Sequence, residues 1–293
     1  MMFGSRETFD YWQCAACGLL WIAAIPDHLE RYYGAGYYAH QNHQEKPLSA
    51  LSARFKRVRS RFHLNRATPL ARAPQIFHWL TPFGLSLESP ILDFGCGTGG
   101  LLLKLRRAGF ANLLGSDPFL PQPLTYDSGV RILAEPLEKI PGTFELIMLH
   151  HVLEHTPDQH ATLAQVKERL QPKGGVLIRI PVANSYAHRR YGLHWMAWDA
   201  PRHLYLHTVA SLHRLARRHS FEVFAMHCDA RPENLLGCEY YQRDIPHCDW
   251  PETRGRPQES LFGAETRSAL RTLTARLNAT LDGDTACFYL RKM

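Results

Sequence analysis

An α/β fold built on a mostly parallel sheet is predicted by three observations. From residue 90 onward, short apolar runs alternate with amphipathic stretches, as strands joined by crossover helices do. The first apolar run, Ile91-Leu92-Asp93-Phe94, ends in an acid and passes into alternating glycines, Gly95-Cys96-Gly97-Thr98-Gly99. A leucine-rich helical stretch, Gly100 to Leu105, starts immediately behind it. Seven strand-like runs are found, so a seven-stranded sheet with helices on both faces is expected, with a small N-terminal extension and helical or loop insertions. Residues 1–45 read as the extension, 46–85 as a helical lid or linker, and 86–293 as the main domain, with insertions at about 181–207 and 229–265.

In chain order, Cys14-x-x-Cys17-Gly18 has the spacing of half a zinc knuckle, since two thiolates on one tight turn can share a tetrahedral ion. No second C-x-x-C exists and only 13 residues precede Cys14, so Cys14 and Cys17 are weak metal candidates. A vestigial knuckle, or a hairpin packed by Trp12 and Trp21, is the favoured reading. A tyrosine-rich stretch, Tyr32 to Tyr38, follows. Leu48, Leu51, Phe55, Val58 and Phe62 then recur at steps of three and four, one face of a helix. Arg54, Lys56, Arg57, Arg59 and Arg61 take its other faces. A basic amphipathic helix can touch RNA or a membrane surface; docking on its own domain is favoured here. Pro69, Pro74, Pro82 and Pro90 punctuate the approach to the first strand.

The expected strands are Ile91–Phe94, Asn112–Ser116, Val130–Leu133, Phe144–Leu149, Val176–Ile180, Phe221–Met226 and Ala286–Leu290. The first helix stops at Gly109 behind Arg106 and Arg107. Pro118 to Pro123 is short and proline-rich, so a full helix is not expected there. Thr156-Pro157-Asp158-Gln159 supplies an N-cap, a first-position proline, an acid and a capping-box glutamine. Pro172 to Gly175 is expected to end that helix. Thr208–His219 reads as another helix, and Leu270, Leu273, Leu277 and Leu281 mark one more.

Composition sets outer bounds. Hydrophobic residues make up 45% of 293, enough for a full core. The longest apolar stretch, Gly18 to Ile25, is too short to span a bilayer. No segment has a signal-peptide layout, and seven scattered cysteines argue for a reducing compartment, so a cytoplasmic location is expected. A net charge of +7 permits an anionic partner without requiring one.

The glycine turn fits two ligand chemistries. Gly95, Gly97 and Gly100 satisfy the dinucleotide fingerprint G-x-G-x-x-G. Asp117, at the end of the second strand, can bond ribose hydroxyls in either case. Asp93 would repel a pyrophosphate but suits a cationic amino acid. After the fourth strand comes His150-His151-Val152-Leu153-Glu154-His155, whose H-x-x-E-H core also matches a metallopeptidase pattern. Its position behind a buried strand, with no assignable third ligand, argues against a metal.

The glycine loop resembles that of class I S-adenosylmethionine (SAM)-dependent methyltransferases. Phe144-Glu145-Leu146-Ile147 with His151 to His155 resembles the motif after the fourth strand in the methyltransferase domain 23, ubiquinone- and sugar-methyltransferase-like branch. Trp198-Asp199-x-Pro201-Arg202-His203-Leu204 resembles the acceptor-side segment of that branch, and Cys14 to Gly18 resembles its N-terminal zinc ribbon with the first ligand pair missing. The resemblance covers roughly residues 85–225. It implies a Rossmann-like sheet whose last strand is antiparallel, with SAM as cofactor. Asp93, Gly95, Gly97 and Gly99 would then shape the methionine end, Asp117 would bond the ribose, and Glu135 would lie near adenine. His150 and His151 would sit beside the methyl group. Trp195, Trp198, Asp199 and Arg202 would line the acceptor side. His203 and His151, then His150, are the candidate catalytic groups, because imidazole is the usual base near neutral pH.

The expected activity is O- or C-methylation of a small molecule such as a sugar, polyketide or quinone-like compound. RNA methylation, an inert zinc-binding partner protein and a nicotinamide-dependent oxidoreductase are the alternatives. Nucleic acid is an unlikely partner on this reading, since no RNA-binding module is recognisable, and no membrane span is expected.

Overall fold

The computed structural model describes residues 4–33, 45, 49–65 and 73–293. Tyr37, Tyr38, Leu48 and Pro69 lie outside the described residues. A short hairpin, β1 (Tyr11–Gln13) and β2 (Leu20–Ile22), opens the chain and sets Trp12 opposite Trp21. Two helices follow, α1 (Ala50–Leu64) and α2 (Gln75–Leu80).

The main sheet begins with β3 (Ile91–Phe94) and crosses through α3 (Gly100–Ala108) to β4 (Leu113–Ser116). It continues through β5 (Leu124–Thr125), β6 (Arg131–Leu133) and β7 (Phe144–His150). Then come α4 (Gln159–Arg169), β8 (Leu170–Pro181) and α5 (Tyr186–Tyr191). β9 (Tyr205–Leu206), α6 (Val209–Arg218), β10 (Phe221–Cys228), α7 (Pro232–Tyr241), α8 (Ala264–Ala279) and β11 (Thr285–Lys292) complete the chain.

The strand order is β10-β11-β8-β7-β3-β4-β6-β5. β3 pairs in parallel with both β4 and β7, so the sheet winds outward in both directions from β3. Ligands in open α/β sheets bind beyond the strand ends at such a switch point. β11 runs antiparallel to both of its neighbours, as the resemblance implies. The sheet has eight strands rather than seven, because Leu124 and Thr125 pair antiparallel with Ile132 and Arg131 at the edge. That hairpin takes the place of a helix between β4 and β6.

Packing explains the other departures from expectation. α4 is capped by Asp158, whose Oδ1 accepts from Ala161 N at 2.9 Å, and not by Thr156. The Gln159 amide is used elsewhere: it donates to Leu153 O at 2.7 Å and its oxygen meets His207 Nε2 at 2.9 Å. The helix stops at Arg169 because Leu170 already pairs with Phe144, and the register skips from there to Gly175 opposite Leu146. α7 lies in the stretch read as the second insertion, where a helical or loop insertion was expected without helix bounds.

α1 departs most. It docks through Ser60, His63 and Leu64, all buried, while Leu51, Phe55, Val58 and Phe62 face solvent. His63 packs at a tilt on Phe77 of α2, and a Cβ on Gly109 would sit 3.2 Å from Arg57 Cγ, a tight fit. The helix is docked, but by its polar face.

Candidate functional site

β3 delivers Asp93 to the switch point almost fully buried, with Oδ1 lacking a hydrogen-bond partner among the described residues. Burial, reinforced by Asp117, pushes its carboxyl up to about 8. The following turn needs glycine for two separate reasons. Gly95, Gly97 and Gly99 have φ of 69°, 55° and 81°, where L side chains are strained. A Cβ on Gly95 would also lie 2.5 Å from Val152, and one on Gly99 2.3 Å from Ile132 Cδ1. Asp117, at the end of β4, clasps the turn: Oδ2 accepts from Gly97 N at 2.8 Å and Oδ1 from Phe119 N at 3.0 Å. Glu135 lies beyond β6, half-exposed, and pairs with Lys139 at 3.4 Å.

The contact of Gly95 with Val152 brings the turn after β7 against the glycine loop. His150 packs on Trp79 of α2 with centroids 4.6 Å apart, and its buried Nε2 has no hydrogen-bond partner among the described residues. Burial and the nearby Arg179 push this imidazole down to about 3, so it is neutral at physiological pH. His151 sits in the left-handed region at φ 55°. Its Nδ1 meets Glu154 Oε1 at 3.1 Å and its Nε2 meets the Arg179 guanidinium. A guanidinium only donates, so Nε2 accepts and the proton sits on Nδ1, facing Glu154. Both nitrogens of His151 are therefore engaged. Arg179 also grips Asp229 at 2.8 Å, and Asp229 accepts from Trp79 Nε1 at 3.0 Å and Gln75 Nε2 at 3.1 Å.

Glu154 is buried, and burial pushes its carboxyl up. The hydrogen bond from His151, with the imidazoles of His151, His155 and His203 gathered around it, outweighs this and holds it well below the usual carboxylate range. His155 is pushed down to about 4 by burial and by His203, and its Nδ1 lies 2.9 Å from Arg202 O. His203 packs edge-on against His155 at 4.7 Å. Its Nδ1 is 2.7 Å from Ala197 O, which fixes the proton there, and Nε2 stands 3.8 Å from Asp199 Oδ2, beyond hydrogen-bond distance.

The acceptor-side residues divide. Arg202 is 2% exposed, pairs with Asp199, and donates to Tyr32 O at 3.2 Å. Trp198 is half-buried, stands edge-on to Tyr11 at 5.1 Å and donates to Gly192 O at 2.9 Å. Trp195 is 1% exposed, inside the core of the insertion, and donates to the buried Asp284 at 3.1 Å. β9 joins β1 and β2 in a three-stranded sheet, and Tyr11 Oη donates to His203 O at 2.6 Å. The N-terminal hairpin thus braces the same segment.

Cys14 and Cys17 lie on the hairpin turn, where Thr208 Oγ1 donates to Cys17 O at 2.6 Å. Among the described residues, the groups of three or more ligand-bearing side chains are Glu154, His155 and His203, and His227, Asp229 and Cys287; neither includes these thiols. Sequence reasoning missed Trp79, Arg179 and Asp229. Arg179 had a signal, a lone cation in Val176-Leu177-Ile178-Arg179-Ile180; Trp79 and Asp229 had none.

The model of a family described as Methyltransferase domain matches residues 52–225, more than half of the chain. Trans-aconitate 2-methyltransferase of Deinococcus radiodurans is 27% identical over 105 residues, which is 34% of this chain and 41% of that protein. Methyltransferase str3 of Strobilurus tenacellus is 29% identical over 108 residues, 34% of this chain and 38% of that protein. The matches thus span about two fifths of these relatives' own lengths. Among solved structures, a mycolic acid cyclopropane synthase superposes with a TM-score of 0.48 at 15% identity, over 78% of this chain and 87% of the other. The 1,6-didemethyltoxoflavin-N1-methyltransferase of Burkholderia thailandensis gives 0.47 at 15%, over 85% and 93%.

Proposed function

Because the chain belongs to the methyltransferase domain family, we propose that it transfers the methyl group of SAM to an oxygen or carbon of a small molecule, of the sugar, polyketide or quinone-like kind. One observation carries the reading. A buried carboxyl oxygen with no partner among the described residues, on Asp93, stands at the head of a turn held open by Gly95, Gly97 and Gly99. A cationic ammonium would complete it once the carboxyl has given up its proton.

On this reading Asp93 and the three glycines hold the methionine end. Asp117 orders the loop through Gly97 and turns to the ribose, and Glu135 lies toward adenine. The sulfonium supplies an activated methyl group, so the chain's task is to hold the acceptor in line with it. His203 is the base: its Nδ1 proton is fixed by Ala197 O, which leaves the Nε2 lone pair to take an acceptor proton. His151, with both nitrogens engaged, positions the turn, and neutral His150 lines the methyl end beside Trp79. Asp199, Arg202 and Trp198 shape the acceptor wall, with Trp195 supporting it from behind. Cys14 and Cys17 are left with a structural role in the hairpin turn.

The test is calorimetric titration of SAM into wild type, Asp117→Ala and Gly97→Arg. Binding by wild type that both variants lose is expected. No binding by wild type, or full binding by both variants, ends the proposal.

A further inference from the structure

We propose that α1 is an interfacial element that lays its exposed apolar row on an anionic lipid surface. Leu51, Phe55, Val58 and Phe62 are 81%, 68%, 47% and 56% exposed, although each is a residue that folding normally hides. At about 100° per residue they fall within an arc of roughly 60°. Ser60, His63 and Leu64, which hold α1 to the domain, lie on the opposite side. Packing has therefore turned the apolar row outward.

Charge selects the occupant. Arg54 and Arg61 line one margin of the row and Arg59 the other, all exposed, and the helix contains no acid. Among the described residues neither Arg54 nor Arg59 forms an ion pair, and Arg61 reaches Glu88 only at 3.8 Å. A second copy packed on this row would set arginine margins against each other with no carboxylate between them. RNA would meet the guanidinium groups and stack bases on Phe55 and Phe62, but it would leave Leu51 and Val58 without an apolar partner. A bilayer surface satisfies both parts at once, with headgroup phosphates at the margins and acyl chains under the row. The helix, roughly 22 Å long, would lie in the surface plane; among the described residues no helix is long and apolar enough to cross a membrane. α1 adjoins α2, whose Trp79 covers His150, so docking would turn this side of the sheet toward the bilayer. The proposal stands on α1 alone and does not depend on methyl transfer.

The test is cosedimentation of the full chain with phosphatidylglycerol–phosphatidylcholine vesicles and with pure phosphatidylcholine vesicles. Binding to the mixed vesicles, at least tenfold weaker on the neutral ones, is expected, since each arginine at an anionic surface is worth roughly fivefold. Leu51→Glu with Phe55→Glu should cut binding at least tenfold. Arg54→Glu with Arg59→Glu should abolish the preference for anionic vesicles. Thermal melts should match wild type, because none of these side chains enters the core; if a variant melts early, Phe55→Ser with a salt titration of wild type gives the same readout. Absent vesicle binding, or binding that the row variants leave unchanged, overturns the proposal. So does a dimer that Phe55→Glu dissociates, or binding of polyuridylate RNA that the variants abolish while vesicles remain unbound.

Discussion

Acidifying the solution from pH 8 to pH 6 should weaken SAM binding by roughly fiftyfold through one residue. Asp93 has its carboxyl raised to about 8 by burial and by Asp117. A bound ammonium needs the ionised form, so binding must first remove a proton. At pH 8 about half the molecules are ready, at a cost of about 0.4 kcal/mol. At pH 6 roughly one in a hundred is ready, at about 2.7 kcal/mol, since each pH unit is worth about 1.4 kcal/mol. The sign follows from the free protein holding the proton and the complex lacking it, so affinity rises with pH up to about 8; above that the α-amino group of SAM loses its own proton and affinity falls again. Asp93→Asn cannot titrate, and its affinity should be flat across this range. It also forfeits a charge-assisted hydrogen bond worth about 1.5–3 kcal/mol. Wild type should therefore bind more tightly at pH 8 and converge on the variant near pH 6. Calorimetry in buffers of different ionisation enthalpy counts the protons directly, and nearly one should be released per SAM at about pH 7. A flat wild-type profile with no proton release refutes the assignment of Asp93 to the ammonium.

Three further outcomes are expected. His150, His155 and His207 are held neutral, at about 3, 4 and 4, all with burial as the first cause. Their folded values lie below the unfolded one near 6.5, so this stability is present above pH 6.5 and is lost as pH falls toward 4. With up to three extra protons bound by the unfolded chain, the slope reaches about 4 kcal/mol per pH unit; chemical denaturation should show the protein failing near pH 5, and a transition midpoint constant from pH 7 to pH 5 would contradict this. Arg179→Met strands the buried Asp229 and frees His151 Nε2, and should cost about 3–5 kcal/mol in urea unfolding; a loss under 1 kcal/mol would mean the pair is solvated. Gly99→Ala should lose about 1–2 kcal/mol to backbone strain plus a clash with Ile132 Cδ1 at 2.3 Å, and adding Ile132→Val, which removes Cδ1, should relieve the clash but not the strain.

The sheet was legible because its information is local. Strand, glycine turn and helix from Ile91 to Ala108 announce themselves within eighteen letters, and the helix expected over Thr208–His219 forms as α6, capped by Thr208 with Ser211. The cofactor candidates Asp93 and Asp117 sit at the ends of neighbouring strands, so finding the strands found them. What failed was the direction of faces. Periodicity identified the apolar row of α1 but could not say that Ser60 and His63 would be the docked side, since that depends on α2 and α3. The hairpin was among the readings, and Trp12 does face Trp21, yet its pairing with β9 lies nearly two hundred residues away and leaves no local trace. Gln159 failed as a capping residue for the same reason: His207, far along the chain, claims its side chain.

The proposed acceptor side is a junction of three distant segments. Tyr32 O accepts from Arg202, Arg202 O meets His155, and Leu204 N donates to Glu154 O at 2.7 Å. Tyr11 holds His203 by its carbonyl while Ala197 holds its imidazole. The Arg202 guanidinium is buried, so each partner it loses would leave a desolvated charge less well paired, which costs far more than the same loss at a surface. The N-terminal hairpin therefore cannot be a tethered module hung on a complete domain. It is one wall of the candidate acceptor site, and changes in Tyr11 or Tyr32 reach His203 and Arg202 through backbone carbonyls. On the proposed function, Tyr11 and Tyr32 would therefore bear on acceptor selectivity although no motif around the glycine loop contains them.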